Sequence, residues 1–407
     1  AAEANGMLGL LDADTARAIV EAGEAIARGR YADQFPGDVY QTGSGTSTNM
    51  NVNEVMAHLA GAALGRRVHP NDEVNLGQSS NDVIPTAIHV SAVLALDEEL
   101  LPAVAALEEG IARRAVELDD VVKTGRTHLM DATPIRMSQE LGAWQAQLAH
   151  ARGGLLETRQ RLLALAQGGT AVGTGLNAPA GFVPAFLAAL QRRTGQPFRA
   201  ADNAFAALAG QETALELSGR LKVVAVVLMK IANDLRWMNS GPLAGLGEIT
   251  LPALQPGSSI MPGKVNPVIP EAVAQIAAQV MGYDAAITIA AQSGNFQLNV
   301  MLPLIARNLL DALALLSRAC TALDRLAIAD FVAHTDHMRE RLARNPVLIT
   351  ALNPVIGYEA GARIAKIALE EGVSVREVAR RMTQLTDEEL DRLLDPRTLT
   401  GPDRPGR

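Results

Sequence analysis

Cysteine is almost absent from the sequence, because Cys320 is the single one among 407 residues. One thiol cannot form a disulfide within the chain, which excludes the disulfide-rich class of small secreted scaffolds. Cys320 stands in the apolar-periodic stretch LLSRACTALDRL, where we expect it to be a small buried side chain. We therefore expect a protein of a reducing compartment, the cytoplasm.

An excess of positive charge and a long apolar run are also missing. The chain has 36 lysines and arginines against 44 acids, a net charge of -8, and no basic stripe with interleaved aromatics, so we expect no nucleic-acid partner. In the strongest helical segment the longest strictly apolar run, Val223 to Met229, is seven residues long, far below a membrane span. The first residues lack the charged-then-apolar pattern of a signal peptide, and we expect no membrane association.

Aromatic residues make up only 3% of the chain, and alanine and leucine dominate, a composition suited to close helix packing. Strand patterns are sparse. Apolar residues recur at helical spacing over 86–118, which Pro102 interrupts, and over 136–166, 202–238, 269–291 and 298–327. Segments of this length predict an all-α, mainly helical protein with an elongated bundle. Their excess of apolar surface favours a bundle that continues into other subunits.

Changes in the helical pattern divide the chain into three predicted domains. Residues 1–85 form an N-terminal domain with a short amphipathic helix at 8–29, a second helix at 51–64 and turn-rich stretches. Residues 86–330 form the central domain of long helices. Residues 331–407 form a small C-terminal helical domain, in which Thr386 to Glu389 (TDEE) has the pattern of a capping box.

Four polar segments interrupt the helical background, each at the boundary of a long helix. They are GSGTSTN (43–49), HPNDEVNLGQSSND (69–82), GRTHLMDATP (125–134) and GSSIMPGKVN (257–266). Helix ends have unpaired N–H groups, so hydroxyls and amides beside them can bind a carboxylate. The last segment adds a cation, Lys264, and an amide, Asn266, which predicts a loop that closes over an anion.

Each segment also has a simpler explanation when it is taken alone. Ser79 and its neighbours have the pattern of an N-cap, HPND that of a turn, and Thr127 with His128 that of a polar turn. His334 and His337 are spaced HxxH, but nothing nearby supplies a third ligand, so we expect no metal.

The segment GSSIMPGKVNP resembles the signature of the fumarase/aspartase superfamily. Further segments match that family in the same order over nearly the whole chain: TGSGTSTNMNVNE, HPNDEVN, QSSNDVIPTAIH, GRTHLMDATP, GGTAVGTGLN and KIANDLRW. The resemblance implies a mostly helical three-domain subunit and a homotetramer with a central helical bundle. It also implies active sites shared by three subunits, a small dicarboxylate substrate and no cofactor.

The resemblance further implies roles for individual residues. Ser258 is the expected base that takes a proton from carbon, and His128 handles the proton of water or hydroxyl, with Glu271 orienting its ring. An acid in a first helical turn is the simpler explanation for Glu271. The catalytic set is His128, Ser258, Lys264 and Glu271, and the substrate-binding set is Ser44, Thr46, Ser79, Ser80, Asn81, Thr127, Ser259, Lys264 and Asn266. A second anion site is expected at Arg66, His69, Asn71 and Asp72, for which a charged turn is the alternative.

Three functions stay open at this stage. HPND, GSGT and QSSND favour the hydration of fumarate to L-malate, whereas QLNVM at 297–301 is closer to aspartate ammonia-lyases. Ala178 and Pro179 depart from the pattern usual in hydratases. A catalytically silent scaffold is the third possibility, and the intact site set argues against it. Family members usually begin with several dozen further residues, so we expect any site residue from that stretch to lie outside this sequence.

Overall fold

The computed structural model describes residues 1–257 and 259–401. Ser258, the predicted base, and residues 402–407 lie outside the described residues. The chain is mainly helical, which confirms the predicted fold class.

The α-helices are, in chain order, α1 (Ala2–Met7), α2 (Ala13–Ala27), α3 (Thr46–Leu64), α4 (Ser80–Ala95), α5 (Leu101–Glu117), α6 (Met137–Leu162), α7 (Phe182–Thr194), α8 (Ala204–Ala209), α9 (Glu212–Met238), α10 (Val268–Ala291), α11 (Leu302–Leu323), α12 (Thr335–Ala343), α13 (Asn353–Ile356), α14 (Tyr358–Glu371), α15 (Val375–Met382) and α16 (Asp387–Leu393). Single π turns cover Pro70–Val74, Leu96–Leu100 and Asp324–Ile328, and 3₁₀ turns cover Ala32–Gln34, Pro346–Ala351 and Pro396–Leu399.

The strands are short and form two-stranded pairs. They are β1 (Val122–Thr127), β2 (Met130–Arg136), β3 (Ala164–Leu165), β4 (Arg199–Ala200), β5 (Ile249–Thr250), β6 (Gly294–Asn295), β7 (Leu298–Asn299) and β8 (Val332–Ala333). The pairs β1–β2, β5–β8 and β6–β7 are antiparallel, and β3–β4 is parallel.

Two local predictions from the sequence are confirmed. Helical structure from α4 to α5 is interrupted by the π turn Leu96–Leu100, which ends two residues before Pro102, whose nitrogen has no proton to donate to the preceding turn. Thr386 and Glu389 form the predicted capping box of α16, each side chain accepting from the other's backbone N–H.

The chain divides into two compact units. The first contains Ala1–Ala103, Ala151–Val226 and Ile276–Arg318, and the second contains Val104–His150, Val227–Gln275 and Ala319–Arg407. The three-domain division at residues 85 and 330 stays a prediction. In the first unit an apolar cluster that includes Ile19, Ala60 and Val68 joins α2 to α3. In the second, a cluster that includes Leu352, Ile364, Val378 and Leu390 joins α14, α15 and α16 to the residues just before α13.

Cys320 lies in α11 and is fully buried, as predicted. Burial raises the pKa of its thiol to about 12, because the thiolate would lose its hydration there. The side chain therefore acts as a small apolar group.

Helix α10 is apolar but only partly covered by its own chain. By length and composition alone it meets the criterion for a membrane-crossing helix, and 28% of its most apolar window is buried. Its buried residues, among them Val273, Ala277, Val280 and Ile287, form one stripe, so the residues that the structure describes leave its other apolar face uncovered.

Candidate active site

In the first unit, the segment GSGT turns the chain sharply into α3. Gly45 has φ 74°, and a Cβ atom there would lie 2.9 Å from Ile84. Gly43 accepts a hydrogen bond from the N–H of Leu302 at 3.0 Å, and a Cβ on Gly43 would lie 1.7 Å from a backbone oxygen. The hydroxyl of Ser44, which stands between the two glycines, lies 2.7 Å from that of Thr46, the first residue of α3, so the structure brings these two predicted substrate ligands together.

The segment QSSND begins α4. Ser79 is the N-cap and forms a capping box with Asp82, so the simpler explanation of Ser79 is confirmed. Asn49 donates to the Ser80 hydroxyl at 3.0 Å, and the Asn81 amide donates to the Ala171 carbonyl at 2.8 Å. Each predicted ligand in this segment is therefore held by a partner in its own chain.

Asp82 holds this segment in place, and the sequence analysis missed it. Its carboxylate is fully buried and accepts from the N–H groups of Ser79 at 3.0 Å, Gly168 at 3.0 Å and Thr170 at 2.9 Å. Burial raises the pKa of this carboxyl group, and the three N–H donors oppose the rise. Asp82 thus ties the start of α4 to the loop at 168–171.

Replacing Asp82 by alanine is expected to destabilise the protein by about 2–5 kcal/mol, because one buried and two partly buried N–H donors would lose their acceptor, and a fully buried donor costs about 1–3 kcal/mol. Urea denaturation followed by circular dichroism measures the change. Asp202→Ala is the matched control, since the Asp202 side chain is 96% exposed. Equal midpoints for the two variants would contradict the role assigned to Asp82.

The predicted second anion site forms a charged turn whose groups largely pair with one another. Arg66 contacts Glu73 at 2.9 Å, and the ring nitrogen of His69 accepts from the N–H groups of Asn71 at 3.3 Å and Asp72 at 3.1 Å. Glu73 also accepts from the N–H of His69 at 2.7 Å. The four predicted residues therefore lie together, and the internal pairing supports the alternative of a charged turn.

In the second unit, Thr127 and His128 lie at the tip of the β1–β2 hairpin, not at a helix boundary as the sequence suggested. His128 and Leu129 form the two-residue loop, with φ values of 56° and 60°. Both positions of such a loop favour glycine or asparagine, so the usual sequence signal of a hairpin was missing. Two non-glycine residues with positive φ are typical of functional sites. Thr127 and His128 are exposed there.

Lys264, Asn266 and Glu271 line one cavity of about 400 Å³ in the same unit. The Lys264 ammonium donates to the Asn266 amide oxygen at 2.7 Å, and Glu271 lies in the first turn of α10. Arg236 also lines this cavity and was missed as a site residue, although KIANDLRW was among the motifs of the resemblance. Ser259 precedes this group and is exposed.

A second cavity, of about 420 Å³, lies under the hairpin tip. Thr127 and His128 line it together with a charged group, Lys123, Arg126, Glu140, Lys230 and Asp234. Trp237 lines this cavity and the Lys264 cavity alike. Within one chain, neither His128 nor Glu271 forms a side-chain hydrogen bond to any residue that the structure describes.

The HxxH pair has partners other than a metal. His334 contacts the Thr250 hydroxyl at 2.7 Å, and His337 contacts the Leu246 carbonyl at 2.9 Å. Over residues 1–257 and 259–401, no group of three or more potential ligands could hold a metal ion.

Comparison with known proteins gives matches over nearly the whole chain. Residues 1–282 match the family model described as "Lyase", and residues 348–401 match the one described as "Fumarase C C-terminus". The chain is 56% identical to "Fumarate hydratase class II 2" of Pseudomonas aeruginosa over 98% of its length and 87% of that protein. It is also 56% identical to "Fumarate hydratase class II" of Xylella fastidiosa, over 98% of the chain and 85% of that protein. The crystal structure of recombinant class II fumarase from Schistosoma mansoni superposes with a TM-score of 0.94 at 37% identity, covering 98% of the chain and 88% of that structure.

Proposed function

The chain belongs to the lyase family that contains the class II fumarate hydratases, and from this premise we propose that it catalyses the reversible hydration of fumarate to L-malate. The 56% identity over 98% of the chain to a fumarate hydratase carries the proposal. The same identity favours hydration over the elimination of ammonia from aspartate, the alternative that the sequence left open.

The reaction requires stabilisation of a dianion. In the direction from malate to fumarate, a weakly acidic proton leaves a carbon next to a carboxylate, and an aci-carboxylate is left behind. Lys264 and Asn266 supply an ammonium and an amide side by side for this charge. Ser44, Thr46, Ser79, Ser80, Asn81, Thr127 and Ser259 are the proposed ligands of the substrate carboxylates.

Proton transfer is assigned to two further side chains. Ser258 takes the carbon-bound proton, on the strength of the family motif around it. His128 exchanges the proton of the water or hydroxyl group at the other carbon, and Glu271 orients the imidazole ring. The exposed hairpin tip supports this role, because His128 is accessible to a substrate and its ring has no competing partner within the described chain.

A homotetramer with active sites shared by three subunits follows from the same proposal. The uncovered apolar face of α10 supports it, since such a face requires burial against another helix. His128 and Glu271, which form no side-chain hydrogen bond with any described residue, would pair with each other across a subunit boundary. The proposal includes a cytoplasmic location, a place in the tricarboxylic acid cycle, no cofactor, and the second anion site at Arg66, His69, Asn71 and Asp72.

The proposed function is tested by following fumarate formation by its ultraviolet absorbance, with L-malate and L-aspartate as separate substrates. We expect turnover with malate and none with aspartate. Turnover with aspartate alone would show that the protein is an ammonia-lyase. No turnover with either substrate would favour the third function, a catalytically silent scaffold. Sedimentation equilibrium of the same preparation tests the tetramer.

A further inference from the structure

Four charged side chains form a largely buried cluster at the stem of the β1–β2 hairpin. The Lys123 ammonium lies 2.6 Å from a carboxylate oxygen of Glu140 on α6 and 2.6 Å from one of Glu248. The other oxygen of Glu248 lies 2.8 Å from the Arg126 guanidinium. Only 1% of the Lys123 side chain and 4% of the Glu248 side chain are exposed. Two cations and two anions balance, so the stem cluster carries no net charge.

An irregularity in the hairpin pairing lies between Lys123 and Arg126, the two cations that contact the same carboxylate. Residues three apart on a regular strand point to opposite faces. Here the pairing shifts between Thr124 and Arg126, so that β2 has one residue more than β1 over this stretch. Gly125 lies at the shift, and a Cβ atom there would be 2.7 Å from a β2 carbonyl oxygen. The pairing is therefore irregular at the point where β1 presents both cations to Glu248.

The backbone N–H and the backbone carbonyl of Glu248 are both hydrogen-bonded. Its N–H donates to the Met238 carbonyl at 2.8 Å, and its carbonyl accepts from the N–H of His334 at 2.9 Å. Asn345 adds a third attachment to the hairpin, because its amide donates to the Ala132 carbonyl at 3.0 Å, within the bulge. The stem is thus fastened to α6 and to the segment between α9 and β5.

The tip of the hairpin lacks comparable support. Thr127, His128, Leu129 and Met130 are all exposed, and the cavity of about 420 Å³ lies beneath the tip. Packing therefore holds the tip weakly. The position of the tip depends on the orientation of the stem. The ion pairs nearest the tip are those of Arg126 and Lys123.

We propose that Lys123, Arg126, Glu140 and Glu248 are positioning residues, which hold the hairpin so that Thr127 and His128 meet the substrate at the correct distance. The inference rests on the proposed function. None of the four residues has to touch the substrate. Their effect is on geometry, where a displacement of about 1 Å can lower a rate by about 100-fold.

Lys123→Met is the test, with turnover and hydrogen exchange measured on the same tetramer. Removing this cation takes the Lys123 partner from Glu140 and leaves the buried Glu248 with Arg126 alone, so the stem should shift. We expect kcat to fall by about 100-fold, since proton transfer depends on the placement of one imidazole. KM should change less than about threefold, because the substrate carboxylates have ligands on several other elements. Amides of residues 127–130 should exchange at least about tenfold faster, because the tip would open more often.

Two further variants separate positioning from a general loss of stability. Arg136→Met removes the ion pair of Arg136 with Asp119 at the far end of the same stem, 3.3 Å apart, and should leave kcat and tip exchange near wild type. Lys123→Arg keeps the cation and should restore most of the activity. If Lys123→Met does not fold, Lys123→Met combined with Glu140→Gln removes charge in balance and leaves the Arg126–Glu248 pair, and the same results are expected from it.

The outcomes separate this inference from the proposed function. Wild-type protein that turns over neither malate nor aspartate refutes the proposed function, and tip exchange then still decides whether the cluster holds the hairpin. Unchanged tip exchange in Lys123→Met overturns the inference. Equal losses of kcat in Lys123→Met and Arg136→Met also overturn it, because the effect would then come from hairpin stability alone.

Discussion

Replacing His128 by asparagine is expected to lower kcat for the dehydration of malate by about 10²–10⁴-fold, the usual contribution of a positioned general acid or base. Asparagine tolerates the positive φ of 56° at this position, so the two-residue loop should keep its shape. The variant therefore removes the imidazole ring and changes little else. Steady-state kinetics with malate and a thermal melt of the same sample measure the two effects.

His150→Asn is the control for this prediction. His150 is exposed on α6, away from the hairpin loop, and should keep the wild-type rate. A His128→Asn protein with a rate within about threefold of wild type would contradict the assignment of His128 to proton transfer. A loss of rate together with a large fall in melting temperature would indicate that the substitution disrupts the structure of the loop.

Replacing Lys264 by methionine is expected to lower kcat by about 10²–10³-fold, the cost of removing one preorganised group that stabilises a developing anion. The charge on the aci-carboxylate exists only along the reaction, so the loss should fall on kcat more than on KM. Lys264→Arg should restore little, because a planar guanidinium cannot replace a compact ammonium beside Asn266.

The matched control is Lys366→Met on α14. Lys366 is also exposed and lies 3.8 Å from a glutamate, so its removal changes surface charge by the same amount. Malate turnover in this variant should equal that of wild type. A Lys264→Met protein with unchanged kcat would exclude Lys264 from stabilising the dianion.

Helical periodicity predicted the long helices, because an apolar stripe is a local pattern that a helix of any fold displays. The segments at 136–166 and 269–291 correspond to α6 and α10. The predicted ends of the helices were less accurate than the helices themselves. The segment predicted from 202 begins its long helix only at Glu212, after the separate short helix α8 and a break at Gly210.

The hairpin at 122–136 could not be read from the sequence. Its strands are short, its loop residues are His128 and Leu129 instead of the usual asparagine and glycine, and its bulge breaks the alternation of apolar and polar residues. Asp82 was read only as part of a polar segment. The loop at 168–171, which supplies two of its hydrogen-bond donors, is distant in sequence.

By itself, the sequence determined the helical class, the capping box of α16 and the residue types of the site, since each depends on neighbours along the chain. Tertiary structure decided which of those residues lie together and what holds them. Lys123 and Glu248 illustrate the reason: a lysine in a strand and a distant glutamate have no pattern in common. Burial makes each charge dependent on the other, and burial exists only once the chain has folded.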